Sequence, residues 1–246
     1  MLNNKRHGRG VMVYHNGRLY EGEWESDYKH GKGYEKFTNG SKYDGQYVNG
    51  KPEGVGTYLW PNGELYEGEW INGLKHGSGM WRGARGDSYI GEWKFGKADG
   101  YGVHTWVNGD RYEGEFKSCL KHGEGTEKFA NGDIYIGSYV NGKPSGYGEY
   151  YWANGSFFKG NFKNGLRHGN GVWKRGPGEA DKYEGEDAND KKSGYGIFTW
   201  ASGNTYKGNY FDDVRHGYGE MYWNDGSCYK GNWEKGIQHG EGKLLS

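Results

Sequence analysis

The chain has 246 residues, with 32 basic and 32 acidic side chains and a formal net charge of zero, a balance that gives no electrostatic pull towards nucleic acid or an acidic membrane. Leu, Ile, Val and Phe make up only 13% of it, which together with a large net charge would signal disorder. The charge is nil, and 23 Tyr, 11 Trp and 9 Phe supply the burial that the aliphatics do not. No run of 18 apolar residues and no apolar N-terminal stretch marks a membrane span or a signal peptide, so the expected setting is cytoplasmic.

The first element signal is a G-x-G at Gly8, followed by Asn16-Gly17 and then by Tyr20-x-Gly22-x-Trp24. The same order then repeats along the chain. Y-x-G begins at Tyr20, Tyr43, Tyr66, Tyr89, Tyr112, Tyr135, Phe158, Tyr183, Tyr206 and Tyr229, at intervals of 23 residues except for 25 between Phe158 and Tyr183. G-x-G keeps the same phase from Gly8 to Gly240. Asn-Gly separates the two motifs at Asn16, Asn39, Asn62, Asn108, Asn131 and Asn154, and a second turn carries it at Asn49, Asn72, Asn141 and Asn164. Asn-Gly is the strongest short hairpin signal, so each period predicts two strands of about six residues and two turns, with no helix.

The predicted fold is all-β: a single array over 1–246, built as an elongated antiparallel sheet of about ten 23-residue hairpin repeats. At about 4.8 Å per strand, ten repeats would extend roughly 100 Å. Parity places Tyr20, Gly22 and Trp24 on one face with Gly8, Gly10, Met12 and Tyr14, and Glu21 and Glu23 on the other. The expectation is an aromatic face lying over glycine and an opposite charged face. A four-repeat block at 29–120 is duplicated in 121–212. Irregular loops are expected at 82–88 and 174–182, with a bulge or kink near Gly83, Arg175 and Asp187, where the pattern departs from itself.

The stretches YEGEWESDYKHGKGYEKFTNG and YEGEWINGLKHGSG resemble the MORN repeat family, and the match covers essentially the whole chain. The resemblance implies an antiparallel hairpin ladder and a role as scaffold or adaptor, in cilia, basal complexes, membrane junctions or the cytoskeleton, with phospholipid binding in some members. It implies no catalysis by the repeats and no cofactor. The residues agree: G-x-G lacks the strand-to-helix turn of a dinucleotide loop, and neither Cys119 nor Cys228 has a phased His and carboxylate beside it. The chain is therefore expected not to be an enzyme. The two cysteines fall five repeats apart, too far for a disulfide. Seven histidines precede G-x-G (His7, His30, His76, His122, His168, His216 and His239) at a spacing too wide for one metal ion and are read as turn packing.

The strongest binding candidate is the aromatic row Tyr14, Phe37, Trp60, Trp106, Phe129, Trp152, Trp200 and Trp223, because aromatics in a shaped groove dominate interface energetics. The competing reading makes these rings plain core. The expected partner is a protein: an extended peptide, a helix or a neighbouring subunit, with self-association through open sheet ends. One alternative is anionic lipid held by Lys29, Lys75, Lys121, Arg167 and Arg215. The other is a carbohydrate or choline-type ligand.

Overall fold

The computed structural model describes residues 1–246. Its contacts divide the chain into two compact units, Met1–Leu120 and Lys121–Ser246. Unit one holds β1 (Gly8–Val13), β2 (Leu19–Glu25), β3 (Tyr28–Lys36), β4 (Lys42–Val48), β5 (Lys51–Leu59), β6 (Leu65–Ile71), β7 (Leu74–Arg82), β8 (Ser88–Lys94), β9 (Lys97–Thr105) and β10 (Arg111–Lys117). Unit two holds β11 (Leu120–Lys128, from Lys121 on), β12 (Ile134–Val140), β13 (Lys143–Tyr151), β14 (Phe157–Lys163), β15 (Leu166–Lys174), β16 (Lys182–Ala188), β17 (Lys191–Thr199), β18 (Thr205–Phe211), β19 (Val214–Tyr222), β20 (Cys228–Glu234) and β21 (Ile237–Leu245). Within each unit every strand pairs antiparallel with its sequence neighbour, so each is an open meander with no helix.

The two turns of a period differ, and their backbone angles explain the composition. At Asn49-Gly50 both residues have positive φ, 47° and 82°, the mark of a two-residue type I′ turn, whose twist matches that of the strands. The other Asn-Gly builds a three-residue turn. Tyr14 donates its N–H to the Arg18 carbonyl, and Gly17, at φ 86°, donates to the Tyr14 carbonyl. The Asn16 side chain then accepts the Arg18 N–H at 3.1 Å, an Asx turn that locks the loop.

Strands of seven and nine residues replace the expected six, because the longer ones contain a bulge. Gly22 faces Gly33 and Trp24 faces Lys29, so Glu23 alone spans His30, Gly31 and Lys32. Glu23 reaches across to accept the Lys32 N–H, and Gln46 does the same for Val55 at 2.8 Å. This bulge recurs between Gly45 and Tyr47 and between Gly68 and Trp70, and through unit two. Bulges are therefore a property of every repeat, and not of the departures near Gly83 and Arg175. The 82–88 loop is regular: Gly83 donates to the Asp87 carbonyl as an aromatic residue would. Only the 174–182 loop is longer, closed by an Arg175–Asp181 ion pair at 2.8 Å.

In each unit the core is a file of rings over a ladder of bare glycines. Tyr20, Tyr43, Tyr66, Tyr112, Tyr135, Phe158 and Tyr206 have no exposed surface. Tyr20, Tyr43, Tyr66, Tyr135 and Tyr206 each lie across a cross-strand glycine pair and donate the hydroxyl to the carbonyl three residues on, as Tyr20 does to Glu23 at 2.7 Å. Burial and the nearby Glu35 push the Tyr20 hydroxyl up to about 12. Neighbouring rings meet edge to face: Tyr20 with Trp24 (4.9 Å), Tyr20 with Tyr47 (5.4 Å), Tyr43 with Trp70 (5.5 Å) and Tyr66 with Trp93 (5.3 Å). Such contacts contribute about 0.5–1.5 kcal/mol each beyond area burial. The opposite face is mixed and not simply charged: Glu21, Asp44 and Glu67 alternate with exposed Val11, Val55, Ile90, Tyr147 and Tyr218.

Candidate functional site

Tyr14, Phe37, Trp60, Trp106, Phe129, Trp152, Trp200 and Trp223 all occupy one structural position, the residue just before the three-residue turn, where the backbone N–H closes the loop. All eight are half-buried; the core is the separate Tyr file beside them. Each lies on the aromatic face because it follows the second G-x-G glycine by four residues, an even step along a strand.

A second row, two residues earlier, escaped the sequence reading although the same parity predicts it: Tyr58, Trp81, His104, Tyr150, Trp173 and Phe198. These rings bridge the candidates to the core. Tyr58 lies 4.4 Å from Trp60 and 6.1 Å from Trp70, His104 stacks on Trp106 at 4.2 Å, Tyr150 meets Trp152 at 4.8 Å and Phe198 meets Trp200 at 4.6 Å. The two rows together form an aromatic shelf along each unit.

Facing the shelf stand the two-residue turn tips and a row of cations. The Lys75 ammonium lies 5.3 Å from the Trp60 ring and 4.8 Å from Trp93, and burial lowers its proton affinity. The Arg6 and Arg215 guanidinium groups cover Trp24 and Trp233 at 4.2 and 4.3 Å. Lys29 is buried against Glu35, which also accepts from Arg18 Nε (2.7 Å) and Tyr47 Oη (2.7 Å). Glu127 repeats this arrangement with Lys121 and Tyr139, both at 2.7 Å. Of the five cations considered for lipid binding, Lys29, Lys121 and Arg167 already hold carboxylates, and Lys75 and Arg215 lie over rings.

Between shelf and tips the surface sinks into two depressions of about 250 Å³ each, both in unit two. One has Tyr150 and Trp152 as wall, Phe162 as floor and Arg167 opposite. The other has Phe198 and Trp200, Tyr210, and Arg215 with Lys192. A larger hollow of about 570 Å³ on the opposite face is floored by the backbone of Gly160, Gly171 and Gly185. Its lysines are already matched, Lys159 with Glu149 at 3.6 Å and Lys182 with Glu184 at 3.0 Å, which makes it the poorer site.

At three repeats of unit one the residue before G-x-G caps a turn. His76 Nδ1 accepts the Phe95 N–H, Glu53 accepts from Asn72 at 2.7 Å and Asp99 from Ser118 at 3.2 Å. At these three sites His, Glu and Asp each offer one acceptor to the next repeat's turn, whereas His168 Nδ1 is buried without a partner and His30 Nε2 lies 3.0 Å from Glu25. Cys119 and Cys228 are free thiols, the first exposed at a turn.

The MORN repeat pattern matches residues 1–17, 20–42, 43–64, 66–88, 89–111, 112–134, 135–157, 158–179, 183–205, 206–228 and 229–246, eleven segments where ten were expected. No curated protein matches the chain. Among solved structures, the TCP10 domain of Danio rerio CPAP in complex with a peptide of Danio rerio STIL aligns with a TM-score of 0.49 at 11% identity, over 97% of this chain and 98% of that one. The SAS-4 TCP domain of Drosophila melanogaster, in complex with a proline-rich motif of Ana2, aligns with a TM-score of 0.38 at 13% identity, over 68% and 83%. Scores this low say nothing about what this chain binds.

Proposed function

Taking as premise that the chain belongs to the MORN repeat family, we propose that it is a non-enzymatic scaffold that docks a segment of a partner protein along its aromatic shelf. The observation that carries this is the half-burial of all eight turn-opening aromatics. Six of them, Phe37, Trp60, Trp106, Phe129, Trp152 and Trp200, pack on a second row of rings, and all eight keep part of their surface open to solvent. Rigid aromatics with an accessible edge and a nearby cation supply contact area at little entropic cost, which is what interface anchors need. The sheet repeats its geometry every 23 residues, so it presents such anchors in series, as repeat surfaces do when they bind extended partners. The repeat family and the fold are typically non-enzymatic. Membership in a cytoskeletal or ciliary assembly rests on the family alone, and imaging of a tagged chain tests it.

The docking reading is tested by selecting peptides from a random library on the full chain and measuring them against Trp152→Ala/Trp200→Ala. The expected result is binders that lose about tenfold or more in affinity on the double variant. Selected peptides that bind both proteins equally would overturn the reading.

A further inference from the structure

The ring file of unit two has one break. Rings meet edge to face from Tyr139 through Tyr135 and Phe162 to Phe158, and again from Tyr183 through Tyr210, Tyr206 and Trp233 to Tyr229. Between the two runs, β16 carries Asp187 where β14 has Phe162 and β18 has Tyr210. Asp187 is only 4% exposed, and neither carboxylate oxygen has a hydrogen-bond partner. A buried carboxylate without partners is strongly unfavourable, and its burial holds it above the usual carboxylate range.

Cations lie near Asp187, Lys192 directly opposite it in the sheet register, but none forms an ion pair or hydrogen bond with it. Arg167 and Lys192 are the nearest cations, but Arg167 donates to the Asp190 carbonyl and carboxylate, and Lys192 lies 3.6 Å from Asp213. Asp187 is the negative charge left over. Its place in the fold is as telling as its charge, because Phe162 and Tyr210 are the floors of the two 250 Å³ depressions. Asp187 therefore stands in the same row, midway between two aromatic sockets walled by Trp152 and Trp200. Four strand steps separate β14 from β18, about 19 Å at about 4.8 Å per step, which a segment in the polyproline II conformation, with three residues per turn and a rise of about 3.1 Å, covers in about six residues with positions i, i+3 and i+6 on one face.

We propose that unit two docks a partner segment in the polyproline II conformation, bearing two large aromatic or apolar side chains about six residues apart and, on the same face, a lysine or arginine midway between them. The apolar chains enter the Trp152 and Trp200 sockets, and the cation meets Asp187. The proposal rests on the aromatic shelf being the docking surface, and adds to it the chemistry of the occupant. A guest cation gives the buried carboxylate the partner that the chain withholds. The cost of Asp187 in the free protein then becomes selectivity for a basic residue.

The test uses the full chain and two synthetic peptides, Trp-Ser-Ser-Lys-Ser-Ser-Trp and the same sequence with Glu for Lys, titrated by fluorescence anisotropy. Wild type is expected to prefer the lysine peptide by about tenfold or more. In Asp187→Asn the preference shrinks to within about twofold. Asp187→Phe, which restores the ring file and guards against a folding artefact, abolishes the preference while raising the thermal midpoint. Equal affinity of wild type for both peptides, or an undiminished preference in Asp187→Asn, overturns the proposal. If both peptides bind equally and Trp152→Ala/Trp200→Ala abolishes both, the shelf stands and the role of Asp187 falls. If neither peptide binds wild type, the proposed occupant is wrong, and the library selection decides the shelf separately.

Discussion

Gly33→Ala probes the glycine ladder most directly. A Cβ at Gly33 would lie 2.5 Å from Tyr20 Oη, 2.6 Å from Cε2 and 2.8 Å from Cζ, so the ring must leave its place. Moving it breaks the 2.7 Å bond to the Glu23 carbonyl, about 1 kcal/mol, and the edge contacts with Trp24 (4.9 Å) and Tyr47 (5.4 Å), about 0.5–1.5 kcal/mol each. Against this, alanine restricts the unfolded chain by about 0.4–1 kcal/mol in favour of folding. The net expectation is a destabilisation of about 2–3 kcal/mol. Gly10 is the control: it faces the same ladder, but a Cβ there meets nothing nearer than Trp24 Nε1 at 3.9 Å, so Gly10→Ala should be neutral or stabilising. Urea unfolding followed by tryptophan fluorescence gives both values, and hydrogen exchange in β2–β4 shows whether the loss is local, as expected for a repeat array. If Gly33→Ala falls within about 0.5 kcal/mol of Gly10→Ala, the ring-over-glycine account of the core is wrong.

Phe158 is the one file member at its position without a hydroxyl; its equivalents donate to the carbonyl three residues on at 2.6–3.0 Å. Phe158→Tyr should gain about 1 kcal/mol by bonding the Asn161 carbonyl, read as a higher urea midpoint at constant m; an unchanged or lower midpoint would show that the pocket does not admit the oxygen. Asp187 makes a pH prediction. Its folded carboxyl is raised above 3.8, so its favourable contribution is complete below that unfolded value and is lost as pH rises through the folded one. Asp187→Asn should therefore raise the thermal midpoint most at pH 7 and progressively less towards about pH 4, and a gain independent of pH would exclude burial of the charge as its cause.

Much of the architecture could be read from the chain because its period is so strict. The 23-residue phase that runs from Tyr20 to Phe158 and resumes at Tyr183 set the strand order, and parity separated Tyr20 and Trp24 from Glu21 and Glu23 correctly. The bulge opposite Glu23 was hidden because its signature, a positive φ at Gly31 of 62°, uses a glycine that the motif already contains for another purpose. The long strands followed from that omission. Gly83 looked irregular by composition but supplies the one thing its position needs, a backbone N–H for the Asp87 carbonyl. At the candidate site, the position of Trp152 and Trp200 was legible from their spacing, whereas the opposing wall was not. Arg167 and Arg215 come to face them only through strand pairing.

The two kinds of turn also govern where the chain tolerates added length. At the two-residue tips the link to the preceding repeat is backbone to backbone: Gly50 to the Lys29 carbonyl, Gly73 to Pro52, Gly165 to Pro144. Every tip spends a main-chain N–H, so an inserted residue there would unpick a bond whatever its identity. On the other side the link is a side chain and therefore optional, from Asp87 to Val107, Asp133 to Ala153 and Asp181 to Ala201. The single two-residue expansion in the chain, between Arg175 and Asp181, falls on that permissive side and keeps its stitch to Ala201. Loops grafted there should be carried without disturbing the neighbouring hairpins, which makes that border the natural place for the surface to diversify.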